Sequence, residues 1–169
     1  MKGNDLLRKE LLALLSGGEA HMDFSDVVAQ FPMAFINSKA PHTPYSCWHF
    51  VEHLRIAQWD ILQFIIDPQH VSPDYPGEYR PSADKKTDEE GWQRSVAGVF
   101  ADLEQLQGLV TDPATDFFAP LPHAPAYTVF REILLVADHN AYHVGELALL
   151  RQVLGIWPKG FQYLTGRPD

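Results

Sequence analysis

Residues 67–86 hold four prolines and join two long stretches of helical apolar spacing. Proline lacks an N–H and fixes φ, so this segment reads as a connection, not as a helix or a central strand. Connections of this length are uncommon in compact domains and need a reason. Reach supplies one. Twenty extended residues span about 66 Å, whereas a twenty-residue helix is about 30 Å long. The connection is therefore long enough to cross a whole layer of helices and start the next helix parallel to the last.

The flanking pattern gives four long helices, expected near 4–16, 45–66, 87–110 and 126–154. In the first, Leu6, Leu7, Leu11, Leu14 and Leu15 recur at helical spacing behind Asn4 or Asp5, and Ser16-Gly17-Gly18 stops it. A short helix from Asp23 to about Gln30 ends at Pro32. Ser46 has the chemistry of an N-cap for the second long helix. Thr87 and Glu90 have capping-box spacing before the third. There Trp92, Val96, Val99, Leu103, Leu106 and Val110 alternate steps of four and three, forming one core-facing seam. Apolar residues cover most of the circumference of the last helix, which is expected to be the most buried, and Gly155 stands at its C′ position. Gly145 within it costs about 1 kcal/mol relative to alanine, and a closely approaching helix is the expected reason. No strand shows convincing alternation. The expectation is an all-α single domain over 1–169, with the tail from Ile156 to Asp169 packed across one end.

Composition excludes several classes of function. The formal net charge is −9, which argues against a nucleic-acid backbone or an anionic membrane as partner. No apolar run is long enough for a transmembrane helix and the N-terminus lacks a signal-peptide pattern, so a cytoplasmic protein is expected. Cys47 is the only cysteine. Disulfides and thiolate clusters are thereby excluded, and Cys47 itself reads as a small packing residue. A bound metal would depend on His, Asp and Glu.

Eight histidines are present, and two pairs have i, i+4 spacing: His49 with His53, and His139 with His143. At about 100° per residue, such a pair lies on one helix face, one turn apart. Two imidazoles so placed can share a metal ion, although buried histidines also occur simply as hydrogen-bonded core groups. Helical bundles build metal sites from inward side chains on facing helices. His53 is the candidate third ligand, with His49 either a fourth or an outer group. Glu132 and Glu146 lie on the stripe of His139 and His143, and Asp60 on that of His53. They are candidate general bases, imidazole-orienting groups or plain lining residues. Three protein ligands and an open position describe a catalytic zinc site. Imidazole donors also suit nickel, iron or copper, and manganese where carboxylates help. Proton competition would weaken binding as pH falls through about 6.5. His21, His42, His70 and His123 lie in expected loops and read as surface groups.

The segment WHFVEHLRIAQWDIL from Trp48 to Leu62, with HNAYHVGELALLRQVLG from His139 to Gly155, resembles the DinB-like family of bacterial four-helix metalloproteins. The likeness spans about residues 4–155 and rests on one histidine in the second long helix and an HxxxHxG motif in the fourth. It implies a four-helix bundle in up-down-down-up order with a long crossover between the second and third long helices. It implies a metal triad of His53, His139 and His143, without His49, and a homodimer. It also implies, for characterised branches, transferases and isomerases that use a low-molecular-weight thiol.

Three functions compete at this level. A divalent metal (Zn, Ni, Fe or Mn) could activate a low-molecular-weight thiol for transfer to a small-molecule substrate. It could instead activate water in a metal-dependent hydrolase, with Glu146, Glu132 or Asp60 as base. A non-catalytic metal-binding stress protein is the third. An enzyme should show a cleft over the metal position, and a structural site should be closed.

Overall fold

The computed structural model describes residues 2–161, and the part of the tail beyond Phe161 lies outside it. The chain is mostly helical. Its elements are α1 (Lys2–Ser16), α2 (Phe24–Val28), a 3₁₀ turn (Met33–Phe35), α3 (Cys47–Ile66), α4 (Glu89–Thr111), β1 (Pro120–Leu121), β2 (Ala124–Thr128) and α5 (Val129–Leu154). The four long helices fall close to their expected positions. No helix among the described residues is long and apolar enough to cross a membrane.

The helix ends follow local chemistry. Asp23 caps α2 by accepting the Asp26 N–H. Ser46 occupies the N-cap of α3, and the backbone N–H of Ser46 donates to His49 Nδ1 at 3.2 Å. Thr128 caps α5 through the Arg131 N–H. Gly155 closes α5 at φ 65°, in the left-handed region that glycine enters without a Cβ penalty.

Several expectations need correction. The cap of α4 is Asp88, which accepts the Gly91 N–H at 2.8 Å. Thr87 is held instead by Asn37, whose side chain bonds both its N–H and its carbonyl. The segment before α5 is not helix but the second strand of a small antiparallel hairpin. Its middle residues are all exposed, so no alternation betrays it. α1 begins at Lys2, ahead of both proposed caps. Gly145 is exposed, and a Cβ placed there would meet nothing within 4 Å, so no neighbouring helix approaches it. Nor is α5 wholly enclosed, because Tyr142, Leu149 and Val153 face outward.

α3 packs on α4 and α5, and α1 packs on both α4 and α5. The apolar core divides into two clusters. One joins α2, the start of α3, the start of α4 and the end of α5 around Val27, Val51, Trp92 and Leu147. The other joins α1, the end of α3, the end of α4 and the start of α5 around Leu11, Leu62, Leu106 and Ile133. Each fully buried leucine or isoleucine of this kind contributes roughly 1.5–3 kcal/mol. Residues 55–60 of α3 and 138–143 of α5 belong to neither cluster. Polar side chains meet there: Gln58 donates to the Val99 carbonyl at 2.7 Å and accepts from Asn140 at 2.7 Å. The histidines lie beside this layer.

Candidate metal centre

α3 contributes His53, and α5 contributes His139 and His143 one turn apart. Their ring nitrogens converge: His53 Nε2 lies 3.0 Å from His143 Nε2 and 3.2 Å from His139 Nε2. One ligand atom from each residue falls within 4.8 Å of the others, so the three histidines can hold a metal ion. Three nitrogens at about 2.05 Å around a tetrahedral zinc would stand about 3.3 Å apart. The observed spacings are within a few tenths of an ångström of that.

The far side of two rings fixes their protonation. His53 Nδ1 lies 2.7 Å from the Tyr79 carbonyl, which can only accept, so Nδ1 carries the proton. His143 Nδ1 lies 2.6 Å from Glu146 Oε2 and donates to that carboxylate. Both Nε2 atoms therefore present lone pairs, and they present them to each other. Carbonyl or carboxylate support on the outer nitrogen is the usual arrangement behind a metal-bound imidazole.

Burial and mutual proximity keep these rings neutral. Burial, then the neighbouring His143 and His53, lowers the His139 pKa to about 4. Burial, then His53 and Arg80, lowers that of His143 to about 3. His53 is also lowered, chiefly by burial. Protons therefore compete for the nitrogens at lower pH than the value near 6.5 expected of free imidazole. The same shifts predict the acid response of the metal-free chain. Unfolded, the rings take up protons near pH 6.5; folded, they resist. The unfolded state thus binds more protons between about pH 6.5 and 4, and stability should fall as pH is lowered through that window. Urea midpoints at pH 7 and 5 with a chelator present should differ more for the wild type than for the His139→Asn/His143→Asn double variant. Equal differences would contradict the shifts.

The other candidates divide. His49 is fully buried but turned away: Nδ1 accepts at the Ser46 cap, and Nε2 donates to the Ser82 carbonyl at 3.0 Å. No nitrogen is left for a metal. Glu146 orients His143. Asp60 lines the same cavity as the triad, and its two oxygens take the Tyr79 hydroxyl and His70 Nε2. Glu132 is buried, pairs with Arg131 and does not line that cavity. Cys47 is enclosed, and burial pushes its thiol up to about 12, in keeping with a packing role.

The long connection contributes more than reach. Tyr75, Pro76, Tyr79 and Arg80 wall a cavity of about 600 Å³ that the three histidines also line. His70 and His123 are not surface groups. His70 is clasped to Asp60 at 2.7 Å, and His123 Nε2 bonds the Phe64 carbonyl at 2.8 Å, tying the hairpin to α3. The sequence offered one faint signal, two tyrosines and an arginine grouped within a proline-rich loop.

No family model, curated protein or solved structure matches the chain.

Proposed function

We propose that this chain is a DinB-like metalloprotein in which His53, His139 and His143 bind one divalent metal ion and present it to a low-molecular-weight thiol for transfer to an electrophile. The observation that carries the reading is the pair of lone pairs facing each other at 3.0 Å on His53 and His143. Neutral rings in those tautomers repel unless an electron-pair acceptor lies between them. Their lowered pKa values disfavour a proton in that role and leave a metal cation.

The same reading makes the fold an up-down-down-up bundle. Contacts between α3 and α4 ascend together, from Trp48 on Ser95 to Gln58 on Val99. Those between α3 and α5 run oppositely, from His53 on His143 to Gln58 on Asn140.

A divalent metal so held supplies a Lewis acid that lowers the pKa of a thiol or water beside it. The chain's own residues hold and orient. Glu146 and the Tyr79 carbonyl fix two rings, and the cavity beside them gives a substrate room. In the overall reaction the thiol sulfur bonds to the electrophilic carbon, the leaving group departs with its electron pair, and the thiol proton passes to solvent. The hydrolytic alternative asks for a carboxylate base. Asp60 and Glu146 are already engaged and Glu132 lies outside the cavity, which favours the thiol reading.

Elemental analysis of protein purified without an affinity tag should find about one metal per chain, the capacity of a single three-histidine site. Addition of thiols to the cobalt-substituted protein should produce thiolate-to-metal absorption in the near ultraviolet. A screen of thiols against chloronitrobenzene electrophiles then reads transfer. Metal-free protein that takes up neither zinc nor cobalt would overturn the metal centre; cobalt uptake without the thiol band would overturn the thiol. A homodimer is part of the same proposal. Leu6 and Leu14 of α1 and Leu149 and Val153 of α5 leave apolar surface on two helices that pack together. Sedimentation showing only monomer at tens of micromolar would reject it.

A further inference from the structure

Among the described residues, Arg80 is the only lysine or arginine lining the cavity beside the histidines. Its guanidinium carbon sits 4.2 Å from the Tyr45 ring centroid and 5.5 Å from that of Phe50. Stacking on an aromatic face fixes the plane of the group but satisfies none of its N–H donors. Among the described residues no carboxylate pairs with Arg80 and no acceptor bonds its side chain, and its Nε is enclosed without a partner. The charge is close enough to depress the pKa of both His53 and His143. Nearby carboxylates are taken: Asp60 by Tyr79 and His70, Glu146 by His143. Nε is the one enclosed donor, and the terminal N–H groups, with no acceptor from the described residues, are free to meet an incoming anion.

We propose that Arg80 is the anion-binding residue of this cavity and that the substrate carries a carboxylate on an apolar or aromatic body. This rests on the reading of the cavity as the substrate site of the metal centre. A carboxylate matches the planar fork of one guanidinium. A phosphate dianion, with the greater charge, would meet a single cation in a cavity that the Asp60 carboxylate also lines. The body of the substrate is set by Ile61, Leu135, Tyr75 and Tyr142, which supply apolar and aromatic lining.

The test uses phenylacetate and its neutral isostere phenylacetamide as probes, titrated calorimetrically into zinc-loaded and chelator-treated protein. Wild type should bind the acid about tenfold more tightly than the amide, as expected for charge-assisted hydrogen bonds. Arg80→Met keeps the apolar stem and should bring that ratio near unity, with amide affinity and zinc content unchanged. Arg80→Lys, which keeps charge but loses the fork, should fall between. The proposal is overturned by a wild-type ratio near unity, by undetectable acid binding at millimolar probe, or by a ratio that survives in Arg80→Met because the metal reads the anion. Zinc content is measured separately. Failure of zinc uptake would strike the metal centre alone, and the acid-to-amide ratio of the metal-free chain would still decide the role of Arg80.

Discussion

Replacing His143 by alanine is expected to empty the metal site while leaving the fold in place. The other two imidazoles remain, but the nitrogen that faces His53 at 3.0 Å is gone, and Glu146 loses the ring it orients. Loss of an outer hydrogen-bond partner alone typically costs 10–100-fold in metal affinity. Glu146→Gln should fall in roughly that range, and His143→Ala should exceed it. Any metal-dependent turnover should vanish with the metal. His49→Ala should retain metal, because neither of its ring nitrogens is available to the site, though it should weaken the start of α3. Metal content by elemental analysis, with circular dichroism as the control for folding, distinguishes these outcomes. Full metal stoichiometry in His143→Ala would show that the three-histidine centre is not the binding site.

The largest expected effect on stability comes from Arg151, far from the metal centre in function. Its side chain is fully enclosed. It donates to the carbonyls of Val27 and Ala29 at the end of α2 and to that of Ile156 beyond α5. The guanidinium lies between Phe31 and Trp157, 4.9 and 4.1 Å from their ring centroids. Burial lowers its pKa, so the protein bears a desolvation cost for this cation. Arg151→Met would relieve that cost but leave three carbonyls without their donor, at about 1–3 kcal/mol each. A net loss of about 3 kcal/mol is expected, read as a lower urea midpoint with an unchanged slope. A change within about 0.5 kcal/mol, the range of an ordinary surface substitution, would show that water or backbone adjustment replaces the guanidinium.

The parts of this architecture that can be read in the chain are those with local chemistry. Ser46 and Gly155 mark helix ends because a hydroxyl acceptor and a residue free to enter the left-handed region are local requirements. The convergence of His139 and His143 follows from one helical turn, and His53 joins them because α5 packs on α3. The unread parts depend on contacts distant in sequence. Nothing about Tyr79 alone says that its carbonyl meets His53 and its hydroxyl meets Asp60. His70 and His123 look like loop residues until Asp60 and the Phe64 carbonyl are placed beside them. Thr87 and Asp88 both have capping chemistry, and Asn37, fifty residues upstream, holds the first and leaves the second to cap α4. The strand Ala124–Thr128 has no alternating burial to announce it. At Gly145 the reverse holds: a glycine inside a helix suggests a close neighbour, yet this one faces open space.

The hydrogen bond from His53 to the Tyr79 carbonyl joins a ligand candidate on α3 to the connection that follows it. Docking of that connection and occupancy of the site are therefore two linked equilibria. When the loop is away, His53 can place its proton on either nitrogen, and one of the two tautomers has no lone pair on Nε2, the nitrogen that faces the other two histidines. Every interaction that holds the loop down, including the clasp of Tyr79 and His70 on Asp60, raises the fraction of chains ready to take a metal. By reciprocity a bound metal holds the loop down by the same free energy. Loop mobility and metal affinity thus become one thermodynamic quantity seen from two ends, and a ligand entering the cavity would act on both.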